Sequence, residues 1–156
     1  MGYPTLAARL NQLKAESNQL ELRDLEISTE MKQNSRDSQL EVTKIENYYS
    51  EQTSRLQEAY EARKDELSAS QSYMESSEYQ EALDEAAEQY QEEYNRLQTE
   101  CEEECAMEEE EATTKETQLE TQQTQVEAEM EAVSNEIEAV NDQISSDIER
   151  TTIKLS

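Results

Sequence analysis

From Leu119 onward the apolar positions of the chain fall at Leu119, Val126, Met130, Val133, Ile137, Val140 and Ile144, with Gln123 the one polar member of the series. The steps alternate between four and three, which is the seam pattern of a supercoiled helix. A further step of four reaches Ile148 and predicts a stutter, with Leu155 seven residues on. The first half repeats the idea with Leu6, Leu10, Leu13, Leu20, Ile27 and Met31, although Ser17 and Asp24 fall on the seam. After a phase change between about 34 and 42, marked by Asn34 and Ser38, the series continues through Val42, Ile45, Tyr49, Leu56 and Ala59. A third run comprises Tyr79, Leu83, Ala86, Tyr90, Tyr94, Leu97 and Cys101. Its large members are mostly tyrosines, so it predicts a wetter seam.

Gly2 and Pro4 are the only glycine and proline, so the turn between these helices has to be found from helix quality. The poorest stretch is Ser68–Ser77, with five serines in ten residues. Serine competes for backbone hydrogen bonds and favours caps and turns. Ser77 before Glu78 and Glu81 reads as a helix start, because acid in the first turn suits the helix dipole. Pro4 sits in a first turn, where a missing N–H costs nothing. The expectation is one all-α unit over 1–156: helix 1 at 5–67, a serine-rich turn at 68–76 and an acidic helix 2 at 77–152. At ~1.5 Å per residue the helices would span roughly 95 and 110 Å. Similar lengths and a short link favour an antiparallel, elongated, oligomeric hairpin coiled coil. The competing arrangement is one continuous helix of about 150 residues pairing in parallel.

Composition pulls the other way. Leu, Ile, Val and Phe make 23 of 156 residues and the net charge is -26, a balance common in disordered chains. The pattern outweighs it, because residues 5–156 hold neither proline nor glycine and are dominated by good helix formers. Charge is also segregated. Residues 1–64 carry nine basic and 11 acidic side chains, whereas 65–149 carry two basic and 28 acidic. Helix 2 packed on a copy of helix 2 would meet self-repulsion within a Debye length of about 8 Å. Nucleic acid and anionic membrane would meet like charge, so neither is expected as a partner.

The candidate chemistry is sparse. With no histidine in the chain, the commonest general base and metal ligand is missing. Cys101 and Cys105 share one helix face and read as small seam residues or as a candidate interchain disulfide. A zinc site would need two further nitrogen or sulfur ligands. Glu108–Glu111 lacks the spaced ligands and glycine of a calcium loop. Leu6 stands where a myristoylation signal needs serine or threonine, and no apolar run has signal-peptide or membrane-span length. The expectation is a cytoplasmic chain, or one exported without a cleaved signal.

Two stretches carry a resemblance. Met1-Gly2 followed by Ala7-Ala8-Arg9, and Leu119 to Gln123 through Glu129 to Val133 and Asp147 to Lys154, resemble an uncharacterised bacterial family of helical coiled-coil proteins. That resemblance implies a bacterial origin. A looser, architectural one is to filament subunits exported by flagellar and type III secretion systems, which place heptad helices at both chain ends. This chain is similar in that its best seams, Leu6–Leu13 and Val126–Ile148, reach both ends. It departs in its two cysteines, its acidic second helix and the lack of a less helical middle.

The expected function is therefore structural, non-enzymatic self-association through heptad faces, as a homo-oligomer or a filament subunit. The expected self-association seam is Leu6, Leu10, Leu13, Leu20 and Ile27 with Val126, Met130, Val133, Ile137, Val140, Ile144 and Ile148. The alternatives are an acidic adaptor or chaperone-like module holding a basic protein client, and a viral assembly scaffold. No cofactor or metal is expected.

Overall fold

The computed structural model describes residues 2–155, and of Leu155 the backbone alone. The side chain of Leu155, last in the apolar series, lies outside the described residues. Helix α1 runs Tyr3–Ser70 and helix α2 runs Ser76–Leu155. A single 3-10 turn, Gln71–Tyr73, stands between them. The two long helices pack against each other as an antiparallel hairpin, with no strand among the described residues.

Helix α1 opens where Gly2 offers its carbonyl to the N–H groups of Thr5 (3.1 Å) and Leu6 (3.2 Å). Pro4 sits in that first turn, whose N–H groups have no intrahelical partner in any case. The turn itself is shorter than the serine-rich stretch that marks it. Ser68, Ala69 and Ser70 stay helical, and Ser76 already belongs to α2. Reversal is concentrated in Gln71–Glu75. There the Met74 N–H bonds to the Gln71 carbonyl at 3.3 Å, and Met74 is extended at φ -118°, ψ 151°. No described residue has a positive φ. A 3-10 turn followed by one extended residue reverses the chain without a left-handed position, so no glycine is required.

Packing divides into two units: one takes α1 up to Asn34 and α2 from Thr114, the other takes Ser35–Thr113. In the first unit Ile27, Leu119 and Val126 form a buried cluster with Leu20, Met31 and Met130 packed against it. Leu6 and Leu13 are also buried. The second unit buries Tyr49, Leu67 and Leu97. Its seam is aromatic: Tyr60 stacks on Tyr90 with ring centroids 4.7 Å apart, and Tyr90 lies 6.1 Å from Tyr94. Ala59, expected on this seam, is exposed, and Tyr60 occupies the position instead. A ring that stacks on the facing helix buries far more surface than a methyl group.

Candidate self-association surfaces

Built from the residues up, the twelve-residue seam is used first within the chain. Leu6, Leu13, Ile27 and Val126 are buried. Leu10, Leu20, Met130, Val133, Ile137, Val140 and Ile144 are half-buried. Ile148 is 53% exposed. The alternation of fours and threes continues instead from Ile144 to Asp147, which is half-buried. Ile148 shares a groove with Gly2 and Tyr3. It therefore lies level with the start of α1.

Two helices cannot close over a stripe from every side, and the flanks remain open. One flank is a groove of about 600 Å³ bounded by Glu16, Leu20, Arg23, Ala132, Val133 and Glu136. A similar groove of about 340 Å³ in the second unit is bounded by Leu56, Tyr60, Arg63, Ala86, Tyr90 and Glu93.

Two of the polar seam positions, Gln123 and Asp24, meet in one layer. Gln123 donates through Nε2 to Ser28 Oγ at 3.2 Å and to Asp24 Oδ1 at 3.5 Å. That layer sits next to the Ile27, Leu119 and Val126 cluster, and a polar group in a coiled-coil seam fixes register at some cost in stability. Ser28 is one residue off the heptad position, and no periodicity argument finds it. At the same level Arg23 donates to Gln122 at 3.0 Å, and nearer the start of α1 Arg9 reaches Glu136 at 2.8 Å.

Cys101 and Cys105 are both free and half-buried. Each stands four residues from its neighbour on the seam, in the run Leu97, Cys101, Cys105, Glu108. Two consecutive fours are a stutter, and α1 carries its own through Asn34, Ser38, Val42 and Ile45. Burial raises the Cys105 thiol, and the charges of Cys101, Glu46 and Glu109 push it the same way. It is thus held away from the reactive thiolate. The Tyr49 hydroxyl donates to Glu104 Oε1 at 2.7 Å, and that bond, with burial, pushes Tyr49 up to about 12. Arg96 clasps Glu93 and Glu100 on its own helix, and its hydrogen bonds hold the Glu93 carboxyl below the usual carboxylate range.

Charge follows the helices. Helix α1 carries nine basic and 13 acidic side chains, whereas α2 carries four basic and 25 acidic. Of the nine cations on α1, Arg23, Lys44, Arg55 and Arg63 pair with glutamates of α1 itself, while Arg9 reaches Glu136 of α2. Among the described residues no helix is long and apolar enough to cross a membrane.

Fold and packing together define an all-α helical hairpin with an unevenly charged surface. Compared with known proteins, the chain matches no family model, no curated protein and no solved structure.

Proposed function

We propose that this protein is structural and non-enzymatic, and that copies of it assemble through their helix faces as an oligomer or a filament subunit. The observation that supports this reading is the unfinished seam. Of its twelve apolar side chains four are buried, seven are half-buried and one is exposed. Apolar surface left half in water is the driving force for association. Molar mass by size-exclusion chromatography with light scattering, at low and at high salt, tests it. A mass several times that of one chain, held or raised by salt, supports assembly. A monomer at both salts refutes it. Ile137, half-buried on the seam, supplies the variant: Ile137→Asp lowers the mass, and an unchanged mass removes the seam flank from the interface.

The runner-up is an adaptor whose acidic α2 holds a basic protein client. In its favour, Glu102, Glu103, Glu110, Glu120, Glu127 and Glu131 are exposed, and their carboxylates have no partner among the described residues. Client binding through that face weakens steeply as salt rises, in contrast to seam-driven assembly.

A further inference from the structure

The second unit holds a ring pair that spans the two helices. Tyr60 of α1 and Tyr90 of α2 stack with centroids 4.7 Å apart and planes 23° from parallel. That separation is at the short end of the ~4.5–7 Å range of aromatic pairs, so the two rings are in contact. The other ring pairs among the described residues, Tyr48–Tyr49 and Tyr90–Tyr94, each lie within one helix. Tyr60 is held further by Lys64, whose Nζ is 4.8 Å from its centroid.

Both rings are half-buried, and both line the open groove of about 340 Å³ with Leu56, Arg63, Ala86 and Glu93. Neither hydroxyl has a hydrogen-bond partner among the described residues, whereas that of Tyr49 is bonded to Glu104. No side-chain oxygen or nitrogen of the described residues is buried without a partner, so both hydroxyls meet solvent. The two phenols thus touch at their rings and open to water at their hydroxyls. Oxidative coupling needs both conditions: a proton has somewhere to go, and the second ring is already in place.

We propose that Tyr60 and Tyr90 are an oxidative cross-linking site, joined ring to ring by a haem peroxidase acting with hydrogen peroxide. Each phenol gives up one electron and its hydroxyl proton and becomes a phenoxyl radical. The two radicals share their unpaired electrons in a carbon–carbon bond between ring positions ortho to the oxygens. The hydrogens displaced from those carbons return through water to the oxygens, and both phenols are restored. Hydrogen peroxide takes up the two electrons and two protons and leaves as two waters. The chain ends lighter by two hydrogen atoms. The link ties α1 to α2 and closes the chain over the reversal at Gln71–Glu75. By constraining the unfolded chain it stabilises the hairpin as a disulfide would. The site stands whether or not copies of the chain associate.

Oxidation of the whole chain by peroxidase and one equivalent of hydrogen peroxide tests the site. It is run on the wild type and on Cys101→Ser/Cys105→Ser, which removes the thiols as competing electron donors. Biphenol fluorescence is expected in material that runs as a single chain on a denaturing gel. Trypsin is expected to release residues 56–63, whose only tyrosine is Tyr60, linked to residues 65–96. Tyr60→Phe and Tyr90→Phe keep the rings and remove one hydroxyl, and each is expected to lose this linked peptide. Tyr94→Phe is expected to keep it. Oxidation in urea, where the rings are no longer paired, is expected to lose it as well. Biphenol found only between chains overturns the site, as does a linked peptide that survives Tyr90→Phe or forms equally in urea. Absence of biphenol from both starting proteins overturns it too.

Discussion

Ile27 is the most instructive single position, because its neighbour Leu25 provides a control on the same helix. Ile27 is fully buried against Leu119 and Val126, with Leu20, Met31 and Met130 around it. Leu25 is 64% exposed. Ile27→Ala removes three carbons from the cluster, a transfer loss of about 2.4 kcal/mol at ~0.8 kcal/mol each. The cavity left behind adds to this, while alanine's better helix propensity offsets a few tenths of a kcal/mol. Two helices with open flanks can also relax toward the gap, which keeps the sum at the low end of the usual core range, about 2–3 kcal/mol. That is roughly a 30- to 150-fold shift toward the unfolded chain. Leu25→Ala, by contrast, is expected to stay within about 0.5 kcal/mol of wild type. Urea unfolding followed by ellipticity at 222 nm, at one fixed protein concentration, reads both. If the Ile27 variant loses no more stability than the Leu25 variant, the packing of α1 against α2 at this level is refuted.

Further expectations rest on separate contacts. Tyr49 is held protonated in the folded chain to about pH 12 against an ordinary value near 10. Its contribution is therefore complete below pH 10 and is lost as pH rises toward 12. A tyrosine step near 12 in absorbance at 295 nm is expected to disappear in Tyr49→Phe; if it persists, another tyrosine carries it. Cys105, with its thiol raised, is expected to react with a disulfide reagent at pH 8 more slowly in the folded Cys101→Ser variant than in urea, and equal rates refute the burial argument. The Tyr60–Tyr90 stack is expected to give a coupling of about 1 kcal/mol in a double-mutant cycle to leucine, and additive losses would mean the rings do not interact. Gln123→Leu strands Asp24 and Ser28 in the seam and is expected to destabilise despite adding apolar surface. A stability gain there would show that the layer carries register alone.

Helical character and the hairpin class were legible in the amino-acid order alone. A four-three alternation such as Leu119 to Ile144 is a property of one helix, and the absence of glycine and proline after Pro4 leaves long helices little competition. The segregation of charge onto the second half was equally plain, since counting needs no coordinates. What tertiary structure decided is everything that depends on which turn of α1 lies beside which turn of α2. Periodicity places a residue on a face and says nothing of its level. Hence the serine-rich stretch marked the turn, while reversal needed only Gln71–Glu75. Ala59 satisfied the spacing yet lies exposed, displaced by Tyr60, while Ile148, one residue past the alternation that lands on Asp147, lies exposed beside the first residues of α1. The partners of Gln123 were hidden for the same reason, because Asp24 and Ser28 lie 99 and 95 residues away in the chain. The Tyr60–Tyr90 pair was hidden likewise, since the spacing puts Ala59 on the seam and does not say which ring faces which across the turn. Spacing is a property of one helix, and a contact between helices needs both.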